Sequence, residues 1–254
     1  MLAALGLSAT TFAYLIATVF VAGVVRGFTG FAASAVVMAT GTLVLAPLDL
    51  LPICLLLEIV ASVFLVRGGI KDADIKLVIP MIGFAFAALP FGLYLTQGMD
   101  PERSKLIALA LVGGLAALQL ARVPLPLGRG ILPAAIVGSL AGLIQGLASV
   151  GGLVQALYVV ALKMQARTMR GTMILGVMIS GAIGLFWQLA MGVMTMQALM
   201  RVAGILLPYL FGLWLGRRYF TPENERYYRP ISLSVLVMLA GAGVLKQLFE
   251  TLFG

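Results

Sequence analysis

An all-helical, polytopic membrane protein built from two similar halves is the fold this sequence predicts, and three observations predict it. First, 62% of the 254 residues are hydrophobic and only 10% are charged, where a soluble domain carries about 25% charged residues; lipid must be the solvent. Second, the chain repeats itself at an offset of about 120 residues. Ala22-Gly23 followed by Gly27 returns as Ala141-Gly142 followed by Gly146, Leu89-Pro90 as Leu207-Pro208, and Phe91-Gly92-Leu93-Tyr94-Leu95 as Phe211-Gly212-Leu213-Trp214-Leu215. Pro101-Glu102 returns as Pro222-Glu223 and Gln119-Leu120 as Gln247-Leu248. Third, the basic residues sit in the gaps between apolar runs. The reading is one transmembrane domain, 1–254, made of two repeats at about 8–122 and 129–250. Each repeat is a glycine-broken helical hairpin followed by three transmembrane helices.

The elements follow from the apolar runs, at 8–46, 50–66, 77–97, 105–121, 131–162, 171–190, 197–216 and 231–249. Six have the length of one helical span at 1.5 Å per residue. The runs 8–46 and 131–162 are too long for one, and each is broken by glycine: Arg26-Gly27-Phe28-Thr29-Gly30 in the first, Gln145-Gly146-Leu147-Ala148-Ser149 with Gly151-Gly152 in the second. Either is a broken single span or a hairpin. If both are hairpins, Arg67, Lys71, Lys76, Arg122, Arg129, Lys163, Arg167, Arg170, Arg217, Arg218, Arg226 and Arg229 share one side, facing only Arg103, Lys105, Arg201 and Lys246 on the other. Single spans would split them about evenly, so the positive-inside rule selects hairpins with both termini on the non-cytoplasmic side. Repeat one then begins outside and repeat two inside, an inverted topology suited to alternating access. The second hairpin is expected to be re-entrant, since two arms of about 14 residues reach only about 21 Å. The N-terminus has no basic segment before its apolar run, so a cleaved signal peptide is not expected.

Composition removes several chemistries. There is no histidine, hence no imidazole shuttle, Ser-His pair or histidine metal site. The single cysteine, Cys54, forms neither an internal disulfide nor a thiolate cluster. No cofactor and no metal are expected. The net charge of +8 is accounted for by topology rather than by nucleic acid. The expected partners are a small anionic substrate and the lipid bilayer, with a homodimer compatible with the sequence.

Among candidate functional residues Arg26 stands out, alone in nearly 40 uncharged residues. A guanidinium at membrane depth needs a partner or a water-filled cavity; it either binds an anion with its planar fork or snorkels to the cytoplasmic interface. Gln145 is its counterpart in repeat two. Gly27, Gly30, Gly146, Gly151 and Gly152 permit close approach of backbone N–H groups, and two such tips meeting would form an anion cradle at helix N-termini. The same glycines equally suit small-residue helix packing. Thr29, Ser34, Ser149 and Gln155 are candidate neutral donors for that cradle. Glu58, aligned with Val177 in repeat two, is either a proton carrier or the partner of Arg26. Thr168, Arg170 and Thr172 are candidates for the cytoplasmic mouth of an anion path, or simply a helix cap with positive-inside residues. Asp49 reads as interfacial, Trp187, Trp214 and Tyr219 as interface anchors. Asp72, Asp74, Asp100, Glu223 and Glu225 read as solvated loop acids, and Pro80, Pro90 and Pro208 as helix kinks.

This pattern resembles the sulfite exporter (TauE/SafE) family, whose two homologous halves each open with a glycine-rich apolar segment followed by a helix near a Thr element. The matching segments are Ala22-Gly23-Val24-Val25-Arg26-Gly27-Phe28-Thr29-Gly30-Phe31 and Ala141-Gly142-Leu143-Ile144-Gln145-Gly146-Leu147-Ala148-Ser149-Val150-Gly151-Gly152, with Arg170-Gly171-Thr172 as the second Thr element. The first half departs from the pattern, with Thr29-Gly30-Phe31-Ala32-Ala33 where adjacent glycines are usual and Leu51-Pro52-Ile53-Cys54 in place of a Thr element. The resemblance implies export of sulfite, sulfonates or related small organic anions across the bacterial inner membrane. Residue spacing alone implies only an anion transporter. The competing classes are an intramembrane enzyme, disfavoured by the lack of an acid/base pair, a non-catalytic membrane assembly subunit, and an anion channel.

Overall fold

The computed structural model describes residues 5–65, 70–121 and 127–218, with positions 234, 237, 238 and 241. Every long element in them is an α-helix: α1 (Ala9–Thr29), α2 (Ala33–Gly41), α3 (Pro47–Leu65), α4 (Ile75–Gln97), α5 (Pro101–Leu120), α6 (Ile131–Ala148), α7 (Gly151–Ala161), α8 (Ala166–Ala190) and α9 (Met196–Arg218). A short 3-10 turn, Ile70–Asp72, precedes α4. Among the described residues seven helices are long and apolar enough to cross a membrane, and α2 and α7 are not. Of the predicted run 231–249 only those four positions are described, and Tyr219, Glu223 and Glu225 lie outside the described residues.

The helix starts are written locally. The Ser8 side chain accepts from the Thr11 N–H to open α1. Asp74 caps α4 through the Leu77 N–H, and Asp100 followed by Pro101 opens α5. Two of the acids read as merely solvated are therefore helix caps. Asp74 also pairs with Arg129 at 3.1 Å. Besides Pro80, Pro90 and Pro208, Pro52 lies inside a helix, α3, each removing one backbone donor.

Both long runs fold as helix, break, helix. The breaks are Gly30–Ala32 and Ser149–Val150, and each first arm ends in a left-handed residue: Gly30 at φ 79° and Ser149 at φ 56°. The arms are unequal, contrary to the expectation of two 14-residue arms in the second hairpin. There α6 has 18 residues and α7 has 11, so at 1.5 Å per residue α6 reaches about 27 Å and only α7 falls short. In the first hairpin the lengths are 21 and 9.

Each hairpin returns to its own starting end. Arg201 on α9 donates from Nε to the Leu5 carbonyl, just before α1, and its Nη1 lies 3.7 Å from Asp49 Oδ1 in the first turn of α3. Tyr158, near the end of α7, donates to the Gly128 carbonyl just before α6. The mouths face opposite ends, because α6 starts beside α4 (the Arg129–Asp74 pair) while α4 finishes where α9 is about to start (Gln97 donates to the Met191 carbonyl). Lys71, Lys76, Arg129, Lys163, Arg167, Arg170, Arg217 and Arg218 all flank one end, and Arg103, Lys105 and Arg201 the other.

The two most extensive helix contacts exchange elements between halves: α1 packs on α9, and α6 on α4. Both are seams of glycine. A Cβ at Gly23 or Gly27 would strike the carbonyl of Tyr209 or Leu213 on α9, and one at Gly212 or Gly216 the carbonyl of Phe20 or Val24 on α1. In the other seam Gly138, Gly142 and Gly146 lie against the Met81, Ala85 and Leu89 carbonyls, and Gly92 against that of Leu143. Dispersion between touching backbones holds such pairs in lipid, where apolar burial supplies little.

Candidate functional site

Each hairpin break is held by the residue four before its cap, and both breaks border one cavity. At the first, Arg26 sits in the last turn of α1 rather than in the break itself, and is fully buried. Its Nη1 donates to the Gly30 carbonyl within the break. Its Nη2 donates to Ser62 Oγ at 3.1 Å and lies 3.3 Å from Glu58 Oε2. Only Nε has no hydrogen-bond partner among the described residues. The planar fork is thus occupied by protein groups, and the Coulombic partner that a buried guanidinium requires is Glu58. Glu58 in turn accepts from Ser34 Oγ at 2.6 Å and from the Ser34 N–H at 3.4 Å, which ties α3 to the first turn of α2.

At the second break Gln145 does the holding. Its Oε1 accepts from the Gly151 N–H at 2.9 Å, and its Nε2 donates to Ser149 Oγ at 3.2 Å. An obligate backbone donor fixes the orientation of this amide.

Between the breaks lies a small, narrow cavity, with room in this conformation for about one water molecule. Ala32, Ser34 and Ala35 of the first hairpin line it. So do Gln145, Ser149, Val150, Gly152, Leu153 and Gln155 of the second, Leu55 and Glu58 on α3, and Val177, Ser180 and Gly181 on α8. Helices α2 and α7 both start on its wall without a bond from their own N-cap side chains; Glu58 takes the Ser34 N–H and Gln145 the Gly151 N–H instead, and the positive dipole ends are directed at the cavity. Gln155 is buried on α7; its Nε2 donates to Ser180 Oγ at 3.1 Å, and its Oε1 has no partner among the described residues. A still smaller space, sharing Gln145, Gln155 and Ser180, lies toward the α4–α6 seam.

The predicted residues therefore divide. Ser34, Glu58, Gln145, Ser149, Gly152 and Gln155 border the cavity. Arg26 stands behind Glu58. Gly27 and Gly146 lie in the helix seams, Gly30 supplies the left-handed cap, Thr29 ends α1, and Gly151 is fastened to Gln145. Thr172 is buried and accepts from the Asp74 N–H, so it anchors α8 to the start of α4. Arg170 instead lines a separate, roomier space of about 160 Å³ with Leu65, Ile174 and Arg217, at the basic end. Asp49 is the ion-pair partner of Arg201. Trp187 donates to the Phe86 carbonyl, and Trp214 stacks on Phe211 under Arg218. Sequence reasoning missed Ser62 and Ser180. The one signal for Ser62 was its place one helical turn after Glu58, on the same face.

The chain matches the family model described as Sulfite exporter TauE/SafE over residues 15–243. No curated protein and no solved structure matches it.

Proposed function

Because the chain belongs to the sulfite exporter TauE/SafE family, we propose that it exports a small anion (sulfite, an organosulfonate or a related small organic acid) across the bacterial inner membrane by alternating access. The family is one of membrane transporters and not of enzymes, and the chain is an integral membrane protein. The observation that carries the reading is the shared cavity: one helix N-terminus from each hairpin, with the Ser34, Ser149, Gln155 and Ser180 side chains around it. The positive ends of helices, with whatever first-turn N–H groups the protein leaves free, hold an anion without a metal. They also release it again, because no positive side chain among the described residues lines the wall. Arg26 contributes from behind, by neutralising Glu58.

The hairpins opening at opposite ends, and the exchange of helices α1 with α9 and α4 with α6, support inverted halves that rock about the cavity. The basic end supports a cytoplasmic location for the α3 and α9 C-termini, with the N-terminus on the far side. An interior-negative potential favours outward movement of a monoanion by about 2.3 kcal/mol per 100 mV, so export requires no coupling ion.

Flux in proteoliposomes, with a panel of sulfite, thiosulfate, methanesulfonate and small carboxylates, tests this. Saturable movement of at least one anion is expected, and it should fall sharply when Gly152→Val fills the cavity mouth of α7. Failure of every anion to move under an imposed potential or pH gradient would overturn the reading.

A further inference from the structure

The cavity that serves the proposed transport has a wall of mixed sign, and the mixture restricts what fits. Its donor side is the N-terminal ends of α2 and α7, where the Gly151 N–H is already taken by Gln145 and the helix dipoles and remaining first-turn N–H groups act. Facing them is Glu58, the one charged side chain on the described lining, with 8% of its surface exposed. Arg26 lies behind it, so the pair is neutral before any ligand arrives. Ser34 spends its hydroxyl and N–H on Oε1. Glu58 Oε2, though close to Arg26, accepts no aligned hydrogen bond from the described residues, and Gln155 Oε1 accepts none either. Both are buried acceptor oxygens that a ligand could satisfy only by donating.

An oxyanion that brings nothing but acceptors would meet the helix starts well and the Glu58 side badly: lone pairs against a carboxylate, with no hydrogen bond made to either acceptor oxygen. A second negative charge would worsen the repulsion. An oxyanion with one O–H has both faces: deprotonated oxygens for the helix N-termini and a hydroxyl for the carboxylate. We infer that this cavity selects small monoanions that carry one hydrogen-bond donor of their own, with Glu58 accepting that donor. The inference rests on the anion-transport reading and narrows its substrate to monoprotonated oxyanions, over fully deprotonated ones and over donorless sulfonates. Buried polar groups discriminate strongly when an analogue lacks the group they were built to meet.

Two probes of equal charge and nearly equal shape isolate the hydroxyl: methanesulfonate, which has none, and the methylphosphonate monoanion, which has one. Binding to the purified full chain in lipid nanodiscs is measured by calorimetry at a mildly acidic pH, where both are monoanions. Wild type is expected to bind methylphosphonate about tenfold to a hundredfold tighter. In Glu58→Gln the preference should shrink severalfold, because the amide offers a donor as well as an acceptor. The double variant Arg26→Gln/Glu58→Gln, which leaves no buried charge unpaired, should show the same loss if the single variant does not fold. Equal wild-type affinity for the two probes overturns the inference and leaves anion transport standing. A preference that survives both variants removes Glu58 as the acceptor and overturns it too. No binding of either probe or of sulfite overturns the transport reading, and this inference with it.

Discussion

At the first break Arg26 donates to the carbonyl of Gly30, inside the break; at the second, Gln145 accepts from the N–H of Gly151, just beyond it. The two residues hold equivalent places, four before the left-handed cap of their helices, but Arg26 fastens its break by donating alone, whereas Gln145 donates to Ser149 and accepts from Gly151. A neutral amide asks nothing further of its surroundings. A guanidinium at that depth does, and α3 supplies it with Glu58 and Ser62, one turn apart. At the matching positions of α8 the sequence has Val177 and Gly181, and Gly181 is packed so closely that a Cβ there would lie 2.9 Å from Ile59. The difference is therefore a set of linked substitutions, Arg/Glu/Ser against Gln/Val/Gly, and not one stray charge. It leaves one half with a buried carboxylate on the cavity wall and the other with Val177 and Gly181 in the matching places.

The largest effect should come from making the first break resemble the second one residue at a time. Arg26→Gln keeps a donor for the Gly30 carbonyl but leaves Glu58 buried without its cation, which costs about 3–5 kcal/mol when one member of a buried pair is removed. Thermal unfolding in detergent should show a large drop for Arg26→Gln and a markedly smaller one for Arg26→Gln/Glu58→Gln. If the double variant is as unstable as the single one, Arg26 and Glu58 are not a unit, and the comparison between the halves loses its basis.

A second contrast concerns the seams, where the halves are alike. Gly27 on α1 and Gly146 on α6 are matching positions, and each lies against the backbone of a helix from the other half. Gly27→Ala and Gly146→Ala should each destabilise by about 1–3 kcal/mol through overpacking. The two should agree within experimental error, while Gly83→Ala, with open space around it, should be near neutral. Unequal costs in detergent unfolding would show that one of the two glycines does something besides packing.

These same glycines mark the limit of what could be read from the sequence. The duplication, the apolar runs and the breaks were legible because each is a pattern over many residues, and the seven long apolar helices follow those runs. The job of an individual glycine was not legible, since close packing and ligand approach demand the same missing Cβ. Arg26 was conspicuous, but its orientation was not; whether its fork met an anion or Glu58 depended on where α3 lay. Ser180 was invisible, and Ser62 legible only from its place one turn after Glu58, because a small hydroxyl in an apolar helix can bond within its own helix and raises no demand on the sequence. The unequal hairpin arms depended on where Ser149 turned left-handed, a conformation that a glycine would have announced and a serine does not.

That last residue gives the smallest and most discriminating effect. Both breaks need a left-handed residue, and glycine takes up that conformation freely, while a residue with a Cβ pays about 1–2 kcal/mol. Gly30 has room for a side chain, since a Cβ added there would meet nothing nearer than Arg170 Cγ at 4.0 Å. Gly30→Ala should therefore cost about 1–2 kcal/mol from backbone strain alone, with transport retained. Ser149→Gly should relieve comparable strain but forfeit the bond from Gln145, worth about 0.5–1.5 kcal/mol, so its net effect on unfolding should be close to zero. The two substitutions separate conformation from contact. If Gly30→Ala abolishes flux while the fold loses no more than this strain, the first break meets the transported ion directly. The asymmetry between Arg26 and Gln145 would then extend from how the breaks are fastened to what they touch.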